Sequence, residues 1–351
     1  MIDGGQAWQV GGLSRKRRDL LGGLALLPLM SAANAWGAQS ADQQGPHLDM
    51  AGPPASVSFP LLHMMESGAL ADFTDKARFT LWTNPDQLRA LAMEGKTSFI
   101  AAPTNVAANL YNRGVPLTLV NVAVWGILWM VSRSPDMKTL ADFKGKEIAI
   151  PFRADMPDII FSFLCEKQGL NLRKDFKLRY VATPMDAVQL LLMRRVDHAL
   201  LAEPAISMAL RKSHSFPVSV VAPELYRSVN LQEEWGRLLD RPPRIPQAGM
   251  AALGAARNNP KLLARFEKAY AESTAWCFAN PQECGELVAR HITMLTPEAV
   301  TDSLMFAPQH YATAVQARSE LEYFYQLLLD REPATVGGKL PDDAFYAGAG
   351  A

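Results

Sequence analysis

Between residues 48 and 221 short apolar runs alternate with amphipathic segments, most of them opened by a capping residue and a proline. This alternation constrains the fold more than any other feature. Residues 76–82 alternate polar and apolar side chains, the two-residue period of a strand. Asn84-Pro85 then offers a side-chain acceptor for free helical N–H groups and a ring already fixed at a helical φ, so residues 86–93 are predicted helical up to Gly95. The pattern returns as a strand at 98–102, with Thr104-Asn105 capping a helix over 106–112. A strand at 147–150 precedes a helix from Asp155 to Gly169, and a strand at 176–181 precedes Thr183-Pro184 and a helix over 185–195. A strand at 196–201 leads through Glu203-Pro204 into a helix over 205–212. Residues 218–221 and 247–255 read as further strands, 117–131 as one long strand kinked or crossing over at Gly126, and 260–329 as almost wholly helical. Such alternation builds parallel sheets with helices on both faces, an α/β fold. A chain of 351 residues suits two domains or one bilobed unit.

Ahead of this pattern lies a processing signal. Arg15-Lys16-Arg17-Arg18 is a compact positive cluster, residues 20–30 (LLGGLALLPLM) are apolar, and Ala33-Asn34-Ala35 supplies small residues two apart. That order describes a signal peptide over residues 1–35, and its apolar run is too short to span a bilayer. Arg17-Arg18 before Asp19-Leu20-Leu21 also resembles a twin-arginine export signal, the general secretory route being the alternative. The expected location is the periplasm. The first cysteine is Cys165, so no cysteine stands near the cleavage site to carry a lipid anchor. Removing residues 1–35 takes four basic and two acidic residues from a chain holding 35 of each, leaving a net charge of −2. No basic stripe remains, which argues against a nucleic-acid partner. No second apolar stretch of spanning length follows, so no stable membrane insertion is expected after cleavage. Residues 36–47 read as a flexible lead-in, 336–351 as a C-terminal tail, and the mature chain as a monomer.

Cys277 and Cys284 flank a loop between two helices and either bridge or stand as neighbouring thiols; Cys165 lies on an apolar helix face. No CxxC and no Cys/His ligand spacing points to a metal or cofactor. The six histidines are scattered, and HExxH, G-x-S-x-G and the phosphate-loop pattern are all missing, so an enzyme is not expected. His198 reads as a structural residue.

In open parallel sheets ligands bind beyond the carboxyl ends of the strands. The residues that fall there are Pro54, Ser56, Asn84, Thr104, Asn105, Phe152, Arg153, Asp155, Thr183 and Glu203. Each taken singly is accounted for as a loop or capping residue; the argument lies in their shared end of the sheet. Helix N-termini gathered there suit an anionic or carbonyl-rich ligand, and the Arg153 guanidinium suits a bidentate clamp on a carboxylate, sulfonate or phosphate. Trp125, beside Gly126, reads as a hinge or cleft residue, while Trp82 and Trp129 read either as an aromatic wall or as core.

The run LADFKGKEIAIP (residues 140–151) is similar to the L-x-D-L-K-G-K-x-I-x-x-P segment of transporter substrate-binding proteins. PMDAVQLLL (184–192) and VDHALLAEPA (196–205) resemble the "A-v-x-x-L … V-D-A … E-P" signature of the nitrate/sulfonate/taurine and thiamine-pyrimidine-precursor group. Residues 230–247, with Trp235 and Ile245-Pro246-Gln247, and residues 340–346 also fit. Arg195 stands where that group usually has Gly, His198 where it often has Ala, and the loop GPPAS differs from the familiar ligand loops. The resemblance implies a two-lobed type II periplasmic binding fold, with lobe 1 at 48–130 plus 223–335 and lobe 2 at 131–222. It implies a periplasmic solute-binding component of an ABC transporter, capturing a small polar, anionic or aromatic molecule and delivering it to a permease powered by an ATPase. A periplasmic sensor subunit is the alternative. A pyrimidine-synthase-like enzyme is a more distant one, since the cysteine-rich segment of those relatives is missing.

Overall fold

The computed structural model describes residues 47–74, 76–216 and 224–348. The signal-peptide reading and the strand at 218–221 lie outside them. The first sheet holds β1 (Leu48–Gly52), β2 (Ala77–Leu81), β3 (Phe99–Pro103) and β4 (Leu117–Leu119). A short strand, β5 (Asn121–Val122), ends this run. The second sheet holds β6 (Leu128–Ser132), β7 (Glu147–Pro151), β8 (Lys177–Val181), β9 (His198–Ala202) and β10 (Tyr226–Asn230). The chain then returns to the first sheet as β11 (Ala248–Leu253), and β12 (Ala312–Thr313) pairs with β5.

The strand orders are β2-β1-β3-β11-β4 and β8-β7-β9-β6-β10. Both follow one scheme: three parallel strands joined through helices, then the strand that arrives after a crossing between sheets, then an edge strand. The crossing strands arrive from the other sheet instead of through a βαβ unit, so they are free to run the other way. β11 is antiparallel to β3 and β4, and β6 is antiparallel to β9 and β10. The sheets are therefore mixed where the sequence pattern predicts parallel ones.

The apolar stretch 117–131 is three short strands and not one, because the chain changes sheets inside it. Gly126 has φ 116°, and a β-carbon there would lie 2.1 Å from Gln232 Cγ, so side chain and handedness both exclude other residues. The two crossing segments hold each other: Gln247 N–H donates to Val124 O and Ile245 N–H to Trp125 O, each at 2.9 Å.

The helices are α1 (Phe59–Glu66), α2 (Pro85–Glu94), α3 (Thr104–Asn112), α4 (Met156–Lys167), α5 (Leu172–Asp175), α6 (Pro184–Leu192) and α7 (Ala205–His214). They continue as α8 (Leu231–Leu239), α9 (Pro260–Ala279), α10 (Pro281–His291), α11 (Pro297–Phe306) and α12 (Ala314–Arg331). Asn84 caps α2 by accepting from Asp86 and Gln87 N–H, and Thr183 caps α6 in a reciprocal box with Asp186. Thr104 and Asn105 do not cap: α3 begins at Thr104, whose hydroxyl donates to Pro246 O at 2.5 Å and ties the helix to the returning chain. Cys277 and Cys284 form a disulfide joining α9 to α10, with Cα atoms 5.2 Å apart, and Cys165 is a buried free thiol. The turn-rich exit carries Phe345 and Tyr346 into the core, Tyr346 bridging Leu119 at the edge of the first sheet. The left-handed residue after α6 is Arg194, with φ 56°. The glycine-favouring position is thus one residue earlier than the sequence reading put it.

Candidate functional site

The carboxyl ends of six strands, three from each sheet, converge on one cavity of about 270 Å³. From the first sheet come Pro53-Pro54 after β1, Trp82-Thr83 after β2 and Pro103 ending β3. From the second come Phe152 after β7, Thr183 after β8 and Glu203-Pro204 after β9. Val124 and Ile127 on one crossing and Gln247 on the other close the back. Met156, Pro157 and Met185 on α4 and α6, with Met294 and Leu295 between α10 and α11, complete a lining that is overwhelmingly apolar.

Most of its polar groups already have partners. Thr83 N–H and Oγ both donate to Gln87 Oε1, at 2.8 and 3.1 Å. The Thr183 hydroxyl donates to Asp186 Oδ2 at 2.8 Å. Glu203, 1 % exposed, accepts Ser207 N–H and Oγ–H at one carboxylate oxygen and Arg227 at the other, the Nη2 contact being 2.5 Å. The Arg227 guanidinium sits 3.6 Å above the Phe306 ring. The Gln247 carbonyl oxygen accepts Ile127 N–H at 3.0 Å. The Trp82 indole N–H is buried with no partner among the described residues.

Of the residues nominated from the sequence, Pro54, Phe152, Thr183 and Glu203 line this cavity. The others lie elsewhere. Asn84 is a helix cap. Thr104 bonds Pro246, and Asn105 is buried in α3. Ser56 lines a smaller neighbouring crevice. Trp125 is core: its indole N–H donates to Val122 O, and its ring meets His310 edge-on. Arg153 is exposed, with its guanidinium 5.2 Å from the centre of the Tyr180 ring. Asp155 ion-pairs with Arg89 at 3.0 Å. Burial holds its carboxyl above the usual range, with Arg89 offsetting part of the effect. Gln247, Met294 and Leu295 carry no local signal, because they reach the cavity from an antiparallel strand and a distant interhelical loop.

The strand orders and the shared cavity define a two-lobed type II periplasmic binding fold. Solved structures with this architecture include an ABC transporter protein from Parabacteroides distasonis. It is 24% identical, with a TM-score of 0.68 over 85% of this chain and 98% of that one. The periplasmic aliphatic sulphonate binding protein of Escherichia coli is 16% identical, with a TM-score of 0.61 over 84% and 92% of the two chains. The periplasmic nitrate-binding protein of Synechocystis PCC 6803 is 13% identical, with a TM-score of 0.61 over 82% and 81%. At these identities the likeness is one of fold. No protein-family description and no curated protein matches the sequence.

Proposed function

We propose that this chain is the solute-binding component of an ABC-type importer. It captures a small molecule between its lobes and hands it to a membrane permease driven by an ATPase. The observation that carries this reading is the cavity between the two sheets, lined from both and seated where open α/β sheets take ligands. Similar folds in proteins of import systems support it. The lobes follow the sheets, with crossings at residues 123–127 and 231–247, and Pro54, Phe152, Thr183 and Glu203 contact the solute. Ligand closes the lobes only to the extent that it prefers the closed form. The N-terminal signal delivers the chain to the periplasm by the twin-arginine route, and it acts there as a monomer. Reconstitution tests the reading. With its cognate permease and ATPase, the purified chain is expected to drive uptake of the solute that stabilises it. Stabilisation by a solute without uptake, together with binding to a signalling kinase or cyclase, assigns the chain to sensing instead.

A further inference from the structure

We infer that the cavity takes an uncharged, largely apolar molecule bearing hydrogen-bond acceptors, and that Trp82 and Gln247 read those acceptors. The inference rests on the solute-binding reading and narrows it to a ligand class.

Charge on the lining is already neutralised. Glu203 is the titratable side chain among the described lining residues, and Arg227 pairs with it from behind. The three helix starts that follow the strands of the second sheet are also matched by carboxylates of the protein itself. Asp158 in the first turn of α4 accepts Ala154 N–H at 2.8 Å. Asp186 holds the start of α6, and Glu203 accepts Ser207 N–H in the first turn of α7. On the side of the second sheet an anionic solute would meet helix ends whose partial positive charge is already offset, and the lining side chains give it no free countercharge.

Two donors point the other way. Trp82 is 5 % exposed and its indole N–H has no acceptor among the described residues. Gln247 is 7 % exposed; its carbonyl oxygen is used by Ile127, while its amide N–H₂ makes no bond within the described residues. The Trp82 N–H is a buried donor left unmade, which is costly, and Gln247 lines the cavity, so a solute that supplies acceptors to both is selected over one that does not. A carbonyl or ring nitrogen on a compact apolar body has the required chemistry.

Thermal denaturation tests this with a bacterial metabolite extract split into neutral, anionic and cationic fractions, since ligand bound to the native state raises the melting temperature. Stabilisation by the neutral fraction alone is the expected result. Equal or stronger stabilisation by a charged fraction overturns the inference and leaves solute binding intact, whereas no stabilisation by any fraction removes both. The active neutral component, once isolated, is then titrated against two variants whose folding is checked by circular dichroism. Trp82→Phe removes one donor. Gln247→Glu keeps the acceptor for Ile127 and removes the other. Each is expected to weaken binding about tenfold, the equivalent of about 1.4 kcal/mol; unchanged affinity in both refutes the assignment of these two residues.

Discussion

Arg89 on α2 and Asp155 at the start of α4 meet across the line between the two sheets, the Arg89 Nη2 lying 3.0 Å from one carboxylate oxygen of Asp155 and 3.3 Å from the other. Asp155 is largely buried and lies three residues after Phe152, which lines the cavity, so the pair lies close to that cavity. Two further pairs link elements associated with different sheets: Arg211 of α7 with Asp302 of α11, and Arg331 of α12 with Glu166 of α4. These contacts favour the arrangement in which the lobes are together.

Breaking the Arg89–Asp155 pair is therefore expected to speed solute release more than it slows capture. Arg89→Ala and Asp155→Asn should each raise the dissociation rate about fivefold, close to 1 kcal/mol for a partly buried pair. Stopped-flow release monitors this, and the effect should shrink as salt is added. Because burial raises the Asp155 pKa, its carboxylate protonates earlier on acidification than an ordinary aspartate. The wild type should therefore approach the behaviour of Asp155→Asn as pH falls. A release rate that stays flat in both variants rules out the latch.

The pair formed by Glu203 and Arg227 should matter for stability. The Glu203 side chain is fully buried and Arg227 is 14% exposed, so removing the arginine strands a charge in the interior. Arg227→Ala is expected to cost about 3–5 kcal/mol in urea denaturation. Adding Glu203→Gln to that background should recover a large part of the loss, since a neutral amide needs no countercharge. Additive losses in the double variant would contradict this account.

Local chemistry made the scaffold readable. Asn84-Pro85 and Thr183-Pro184 announce helix starts through caps that act within four residues, and both helices form where the sequence puts them. The E-P junction at Glu203 marks the end of a strand for the same reason. What the sequence hides is which of these strand ends meet. Pro54, Thr183 and Glu203 share a wall only because two sheets face each other, and Gln247 joins them from a strand that arrives more than 100 residues after the first crossing. Arg153 illustrates the converse. Its position after β7 is right for a ligand clamp, but Phe152 and Ala154 on either side both adopt φ 60°, and the guanidinium ends over Tyr180 instead of in the cavity.

Arg194 offers a test of backbone conformation. It adopts φ 56° after α6, a region that costs a side-chain-bearing residue about 1 kcal/mol or more. Arg194→Gly should therefore raise the unfolding free energy by about 0.5–1 kcal/mol, and Arg195→Gly should lower it, because Arg195 has an ordinary backbone conformation. Paired denaturation curves separate the two, and equal effects would mean that the turn does not store this strain.

The acid side of the stability profile should depend on His198. Burial lowers its pKa below the ordinary value, an effect that Lys146 reinforces and Asp197 opposes. Its Nδ1 lies 3.0 Å from the Ser132 hydroxyl, whose oxygen already accepts Ser134 N–H at 2.9 Å. The hydroxyl keeps its proton and a second lone pair, so it serves either tautomer of the ring, and burial is what disfavours the charged form. The unfolded chain takes up its proton near pH 6.5, before the folded one does, so stability is lost as pH falls from about 6.5 toward the lower folded value and levels off below it. Burial lowers the pKa of His63 and His310 as well, which adds to the same slope, whereas Asp155, held above its usual range, opposes it at lower pH. Melting temperatures recorded between pH 7.5 and 5 should fall for the wild type and fall less for His198→Ala, even though that variant starts from a lower value at pH 7.5. If the two slopes are parallel, the protonation that costs stability lies on another group.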